Sequence, residues 1–334
     1  MTSAGSWKME SQRAYFGKAL VELGRRNPKV VVVGADTTES IKSIDFGKVF
    51  PDRFVQLGIA EPNMISVAAG LAAAGKIAFA CTYSVFGSAH TYNIVRQNVA
   101  YTRLDVKIFS SHAGLTVGPD GATHQINEDI GLMRGIPRMT VLVPADGPQT
   151  AKCVDAAAET KGPVYCRFSR TNVPTITSTD DDFGIGKAYV LRDGSDLTLV
   201  GSGLMVARCL QAAEALDRDG VDARVINLPT VKPLDEPALM KAARETGAIV
   251  TAEEHTVVHG IGAAIASVVV RDRPVPMAFV GVRDVFGESG EAEDLLRKYG
   301  LTVEAILEAA RDVMKRREHP LPPRAQGSAA RTAK

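Results

Sequence analysis

The run KVVVVG at Lys29–Gly34 decides how this chain folds. Four consecutive valines favour an extended strand, and the lack of alternating polar residues is typical of a strand that is covered on both faces. Such strands lie in parallel sheets that have helices packed on either side. The run therefore predicts an α/β fold.

Similar short apolar runs recur along the first half of the chain and alternate with helical patterns. The further strand candidates are Lys76–Cys81, Val106–Ser110, Thr140–Val143 and Val164–Phe168, and the helical patterns cover Glu10–Arg25, Pro62–Ala74, His90–Ala100 and Gly147–Glu159. Alternating strands and helices are typical of a doubly wound domain. We expect the first half of the chain to form one.

A second series of strands and helices follows a stretch rich in Thr, Asp and Pro at residues 170–185. This composition is that of a linker. We therefore expect two consecutive doubly wound domains with mostly parallel sheets, residues 8–172 and 188–316, joined by a linker at 173–187. Residues 317–334 contain little that folding would bury, which predicts a disordered basic tail.

Composition excludes several classes of protein. The chain has 334 residues, of which 45% are hydrophobic and 23% charged, and its net charge is +1. A nearly neutral chain has no strong field for nucleic acid or an anionic membrane. The most apolar window of the chain, Val67–Ala74, is too short to span a bilayer. The four cysteines are scattered along the sequence, which is typical of proteins from a reducing compartment. We expect a soluble cytoplasmic protein that binds neither nucleic acid nor membranes.

The segment SSHAGLTVGPDGATHQ at Ser110–Gln125 is the strongest candidate for a functional loop. It directly follows a predicted strand and concentrates His112, Asp120 and His124 among glycines. Open α/β folds build their sites in loops at the carboxyl ends of parallel strands. The loop is therefore predicted to carry chemistry.

Glu61 is the one acid in the otherwise apolar stretch FVQLGIAEPNMISVAAG at Phe54–Gly70. A carboxylate at a helix start is ordinary, because the helix dipole favours negative charge there. A carboxylate between apolar neighbours is also partly desolvated, which suits acid–base chemistry. Tyr83 and Phe86 follow the next predicted strand. They either pack in the hydrophobic core or form a wall on which a flat ring stacks, and these residues alone favour packing in the core.

Taken together, LGIAEPNM, TYSVF, SSHAGLTVGPDGATHQ and the FSR at Phe168–Arg170 resemble the C-terminal half of transketolase, its pyrimidine-binding domain followed by its C-terminal domain. The resemblance is in register from about Ser11 to Arg170 and looser to about residue 315. It implies an enzyme that uses thiamine diphosphate to transfer a two-carbon ketol unit between sugar phosphates.

The resemblance also implies which residues bind the cofactor. Glu61 matches the glutamate that hydrogen-bonds N1′ of the aminopyrimidine, and Phe86 matches the phenylalanine that stacks on the ring. Tyr92 matches a second aromatic residue of the pyrimidine pocket, and Asp36 an aspartate near it. The aromatic residue expected between Phe86 and Tyr92 is replaced by Ala89.

Substrate roles carry over in the same way. His112 and His124 match catalytic histidines near the donor's phosphate and its reacting hydroxyl and carbonyl groups. Asp120 matches the aspartate that reads a substrate hydroxyl. The terminal phosphate is expected to be held by Arg170 together with Arg13 and Ser40, since a guanidinium forms paired, charge-assisted hydrogen bonds.

One motif of thiamine enzymes is missing from the chain. The Gly-Asp-Gly motif with its downstream Asn, which binds the diphosphate through Mg²⁺, has no match here. In a full transketolase that motif belongs to the N-terminal half. The resemblance therefore implies a split enzyme, in which a separate N-terminal subunit supplies the diphosphate and Mg²⁺ site, in an α2β2 assembly. We expect the isolated chain to be inactive.

Three alternatives remain open. 1-Deoxyxylulose-5-phosphate synthase shares the Asp-Gly-x-Thr-His-Gln string but normally has arginine at the position of His112. The β subunit of 2-oxoacid dehydrogenases has the same layout but lacks the Thr-His-Gln string. A non-catalytic scaffold or regulatory subunit is the alternative from another class, and the presence of Glu61, Phe86 and His124 argues against it.

Overall fold

The computed structural model describes residues 7–317, which form fourteen strands and twelve α-helices. The strands are β1 Met9–Ser11, β2 Val30–Gly34, β3 Phe54–Gln56, β4 Ile77–Tyr83, β5 Val106–Ser111, β6 Thr140–Leu142, β7 Val164–Arg167, β8 Asn172–Pro174, β9 Tyr189–Arg192, β10 Leu197–Gly201, β11 Ala223–Asn227, β12 Thr230–Lys232, β13 Ile249–Thr256 and β14 Met277–Val282. The helices are α1 Gln12–Arg26, α2 Thr38–Ile41, α3 Ile44–Val49, α4 Glu61–Ala73, α5 Tyr92–Ile94, α6 Asp129–Gly135, α7 Gly147–Glu159, α8 Met205–Arg218, α9 Glu236–Thr246, α10 Ile261–Asp272, α11 Ala292–Lys298 and α12 Val303–Arg317.

The first sheet has the strand order β12-β6-β7-β5-β4-β2-β3, and all neighbours are parallel except β12 and β6. The valines of β2 show why the opening run folds as it does. Val30 and Val32 pack into the core on the side of α1 and α7, and Val31 and Val33 into the core on the side of α4. Because both faces of the strand are covered, no position in it is polar.

The second sheet has the order β14-β13-β10-β11-β9, and only β9 runs antiparallel. Helices α8 and α12 cover one face, and α9 and α10 cover the other. The chain thus folds into two consecutive α/β domains with mostly parallel sheets, as the sequence predicted. No helix among residues 7–317 has the length and apolarity needed to cross a membrane.

The two domains are joined more closely than the composition suggested. Strand β12 comes from the second half of the chain but pairs with β6 of the first sheet, and Lys232 donates to the carbonyls of Arg134 and Ile136. Strand β8 pairs antiparallel with β1, and the Asp146 carboxylate accepts the backbone N–H of Thr177. The start of the expected linker is therefore held in place. Of the expected tail, residues 318–334 lie outside the described part.

Candidate active site

The carboxyl ends of five neighbouring parallel strands bring the candidate residues to one edge of the first sheet. In the order of the strands across the sheet, Arg170 follows β7, His112 follows β5, Phe86 follows β4, Ser40 follows β2 and Glu61 follows β3. Adjacent parallel strands end at the same edge, where open α/β folds bind their ligands. Residues far apart in the sequence therefore share one site.

Four rings form the centre of this site. The rings of Tyr83 and His112 stack with their centroids 3.8 Å apart and their planes at 19°. Phe86 lies nearly parallel to Tyr83 at 6.1 Å, and His124 meets Phe86 edge-on at 5.6 Å. The structure thus brings together Phe86 and both predicted histidines and adds Tyr83, which sequence reasoning had favoured as core.

The His112 ring is fixed by polar contacts on both nitrogens. Nδ1 lies 2.7 Å from the Ser111 hydroxyl, and Nε2 lies 3.5 Å from Ser40 Oγ, which accepts a hydrogen bond from the Tyr83 hydroxyl at 2.9 Å. The residue has a φ of 59°, a conformation that is uncommon outside glycine. Such backbone strain is typical of functional positions.

Two guanidiniums lie beside His112, and neither forms an ion pair with a carboxylate among residues 7–317. Arg13 Nη1 donates to the Ser40 carbonyl at 2.8 Å, and Arg170 Nη1 donates to the Val117 carbonyl at 2.6 Å. Both bonds go to neutral backbone oxygens, and Arg13 Nε is buried with no partner among the described residues. Burial, reinforced by the charges of Arg13 and Arg170, lowers the pKa of His112 to about 3. An anion with several acceptor oxygens, such as a phosphate, would provide hydrogen-bond acceptors for the free donors of the two guanidiniums.

Glu61 is the first residue of α4 and is only 6% exposed. No hydrogen bond or ion pair joins its carboxylate to another residue between 7 and 317. The preceding Ile59 is 83% exposed, and Gly58 has a φ of 69°, so the chain enters the helix through an open, sharply turned segment. Buried polar groups in native proteins are almost always paired. The carboxylate is therefore suited to a donor that comes from outside the chain.

The remaining predicted residues are not joined to the ring cluster by side-chain contacts. Tyr92 is half-buried and packs against the core, Asp36 is exposed at a φ of 60°, and Asp120 is exposed in the loop after β5. All three lie near the same sheet edge. Their roles stay predictions.

The loop after β5 is shaped by its glycines and by one glutamine. Gly114, Gly118 and Gly121 have φ values of 71°, 78° and 76°, which only glycine adopts readily. The Gln125 amide donates to the carbonyls of Leu115, Gly118 and Glu288, and the last of these belongs to the second domain. The loop is thus a folded element with a fixed shape.

Comparison with known families covers most of the chain. Residues 9–175 match the family model of the transketolase pyrimidine-binding domain, and residues 186–306 match that of the transketolase C-terminal domain. This chain belongs to the transketolase family. Dependence on thiamine diphosphate is a property of that family, and the chain is a transketolase-type enzyme subunit.

Several transketolase relatives have nearly the same length as this chain. A putative transketolase C-terminal section of Methanocaldococcus jannaschii is 41% identical, over 92% of this chain and 97% of the relative. A 6-deoxy-6-sulfo-D-fructose transketolase subunit of a Clostridium species is 42% identical, over 89% and 92%. A solved structure described as a split gene transketolase, inactive beta4 tetramer, is 47% identical with a TM-score of 0.86, over 91% of this chain and 98% of that one.

The residues present fit the pyrimidine half of thiamine diphosphate. Glu61 is a buried residue whose unpaired carboxylate offers an acceptor for a protonated ring nitrogen, and the Phe86 ring stands at the same sheet edge, where a flat heterocycle could stack on it. Tyr83 is the aromatic residue that the sequence favoured as core and that the structure places beside His112. Its position two residues after the predicted strand Lys76–Cys81 was the available signal.

Proposed function

We propose that this chain is the pyrimidine-binding subunit of a split transketolase, whose active site is completed by a separate N-terminal subunit. The observation that carries the proposal is the buried, unpaired Glu61 at the sheet edge that also holds His112, His124 and two arginines. Thiamine diphosphate, when bound, supplies a nucleophilic carbon and stores the electron pair released when a ketose carbon–carbon bond breaks.

On this proposal Glu61 handles a proton at the cofactor. Its carboxyl group shares a proton with N1′ of the aminopyrimidine, and burial strengthens that hydrogen bond because water cannot compete for it. Phe86 stacks on the pyrimidine ring, while Tyr92 and Asp36 line the same pocket. The ring is thereby oriented before a sugar arrives.

The substrate is proposed to enter from the side of the histidines. Arg170 and Arg13, with Ser40, hold the terminal phosphate of a sugar phosphate by charge-assisted hydrogen bonds. His112 is neutral, so its ring orients a substrate oxygen without adding a third charge. His124 exchanges hydrogen bonds with the reacting hydroxyl and carbonyl groups, and Asp120 reads a further hydroxyl.

The diphosphate is assigned to the partner. This chain has no Gly-Asp-Gly motif, so we propose that the N-terminal subunit carries that motif and the Mg²⁺ ion. An α2β2 assembly would provide two complete sites. The proposed location is the cytoplasm, which is supported by four free, buried cysteines.

A reconstitution assay tests this function. The purified chain is mixed with a transketolase N-terminal subunit that carries the Gly-Asp-Gly motif, and ketol transfer is measured on a panel of sugar phosphates with thiamine diphosphate and Mg²⁺. We expect the pair to be active and each subunit alone to have about a hundredth of that rate or less, since half of the cofactor's binding groups would be absent. Omission of thiamine diphosphate is the control. Full activity of the chain alone would contradict the proposal.

A further inference from the structure

The carboxyl end of β13, Glu253–Thr256, contacts the active-site loop although it belongs to the second domain. The backbone N–H of Thr116 donates to Glu254 Oε1 at 2.6 Å. The N–H of Thr256 donates to the Asn127 carbonyl at 2.8 Å. These two bonds lie on either side of the segment that contains Asp120 and His124, so the second domain holds the loop at both ends.

Glu254 is fixed on several sides by the first domain. Both terminal nitrogens of Arg167 donate to its backbone carbonyl, at 3.1 and 3.2 Å, and Arg167 Nε pairs with the buried Asp129 at 3.1 Å. The Glu254 carboxyl lies directly against Gly114, where a Cβ would approach Cδ of Glu254 to 2.4 Å. The side chain is 6% exposed. Its carboxylate therefore has little freedom to leave Thr116.

The contact leads directly to a predicted substrate residue. Thr116 is bonded to Glu254, and the carbonyl of the next residue, Val117, accepts the hydrogen bond from Arg170 at 2.6 Å. A shift of Thr116 would move that carbonyl and with it the Arg170 guanidinium. Misplacement of a binding group by about 1 Å is enough to weaken catalysis severely.

We propose that Glu254 is a positioning residue, which holds the Thr116–Val117 turn so that Arg170 meets the phosphate of the substrate. This inference rests on the proposed function for its kinetic consequence, but the contact itself belongs to the chain alone. It gives the second domain a part in the active site, in addition to packing.

Glu253 provides a matched control in the same strand. It is 1% exposed, and its carboxylate accepts the N–H groups of Ile261 and Gly262 at 2.7 and 3.0 Å, at the start of α10 in its own domain. A change from carboxylate to amide at this position perturbs an equally buried acid without touching the active-site loop.

The test compares Glu254→Gln with Glu253→Gln in the full chain. Glutamine keeps the shape but loses the charge that Glu254 carries above about pH 7, so both variants are compared at about pH 8. A neutral hydrogen bond is weaker than a charge-assisted one. We expect Glu254→Gln to speed hydrogen exchange of the amides of residues 114–118 about tenfold. In the reconstituted enzyme we expect it to raise KM for a phosphorylated ketose about tenfold, with kcat changed less than about threefold. Glu253→Gln should change neither quantity.

Two results would overturn the proposal: unchanged exchange and KM in Glu254→Gln, or the same changes in Glu253→Gln. If Glu254→Gln does not fold, Glu254→Asp keeps the charge but withdraws the carboxylate by one methylene, and the same expectations apply. Absence of ketol transfer in the unsubstituted pair would refute the proposed function instead, while the exchange measurement would still decide whether Glu254 holds the loop.

Discussion

His112 is a histidine that carries no charge because of where it lies. Burial disfavours the protonated ring, and the guanidiniums of Arg13 and Arg170 repel a third positive charge, so its pKa falls to about 3. Neutrality leaves one ring nitrogen as donor and the other as acceptor. The Ser111 and Ser40 hydroxyls lie beside these two nitrogens.

This charge state is measurable by NMR on the chain alone. At about pH 5.5 an ordinary histidine is mostly protonated, whereas we expect the His112 ring to show the chemical shifts of a neutral imidazole. The His112→Asn variant identifies its resonances by their disappearance. A titration midpoint near the ordinary value of about 6.5 would show that neither burial nor the two arginines suppress protonation of this ring.

Tyr83 shows why one residue of the site escaped prediction from the sequence. The residue pairs with Ser111 in the register of β4 and β5, which sets its ring against that of His112, the next residue along the chain. The sequence showed that Tyr83 follows a predicted strand. It did not show the register between the two strands, because the register depends on how both strands pack in the sheet.

At the scale of elements, the apolar runs were predicted, whereas the short strands β3, β8 and β12 were not. The run at Lys29–Gly34 was recognised because a strand covered on both faces has no polar position. Strands β3, β8 and β12 have three residues each, and β12 pairs with a strand about ninety residues earlier in the chain. Nothing local marks so short a strand, since its pairing partner determines it.

Glu253 and Glu254, in the second half of β13, make the stability of the chain depend on pH. Burial raises the pKa of Glu253 and of Glu254 to about 7. The positive charge of Arg167 lowers both pKa values in part, and that of Arg134 also lowers the pKa of Glu253. Asp129 also faces Glu254 and adds to the rise. A carboxyl whose pKa is higher in the folded state than in the unfolded state stabilises the fold at low pH, and this stability is lost as the pH rises through about 7.

We therefore expect Glu253→Gln to gain stability relative to the unsubstituted chain as the pH rises from about 5 to about 8. The gain should be roughly 2 kcal/mol, because the amide does not ionise. Urea denaturation of both chains across this range measures the difference, and comparison of the two chains cancels the titration of His112 and other groups. A difference that is the same at every pH would show that Glu253 ionises as freely when folded as when unfolded.

At the scale of the whole molecule, the sequence predicted the two-domain fold and the sheet edge that carries the site. It did not reveal the part of the second domain in that site. Thr116 and Glu254 are 138 positions apart, and Gln125 and Glu288 are 163 apart. Contacts of this range depend on how the two domains pack together, and a glutamate that makes one has no distinguishing neighbours in the sequence.

Glu61 has a counterpart elsewhere in the molecule that makes its role testable. Glu236 also begins a helix, α9, and is also followed by proline, but its side chain is 45% exposed and forms an ion pair with Arg271 at 2.7 Å. If each carboxylate only stabilised the start of its helix, replacement of Glu61 and of Glu236 would have similar effects on activity. If Glu61 handles a proton at a cofactor, its replacement alone would abolish activity.

The most direct test of the role proposed for Glu61 is ketol transfer by the reconstituted enzyme, measured for Glu61→Gln and for Glu236→Gln at saturating thiamine diphosphate. We expect Glu61→Gln to lose activity about a hundredfold or more, the usual scale of a lost acid–base group, while assembly with the partner is retained. Glu236→Gln should stay within about twofold of the unsubstituted enzyme. Activity of Glu61→Gln equal to that of Glu236→Gln would contradict the proposed role.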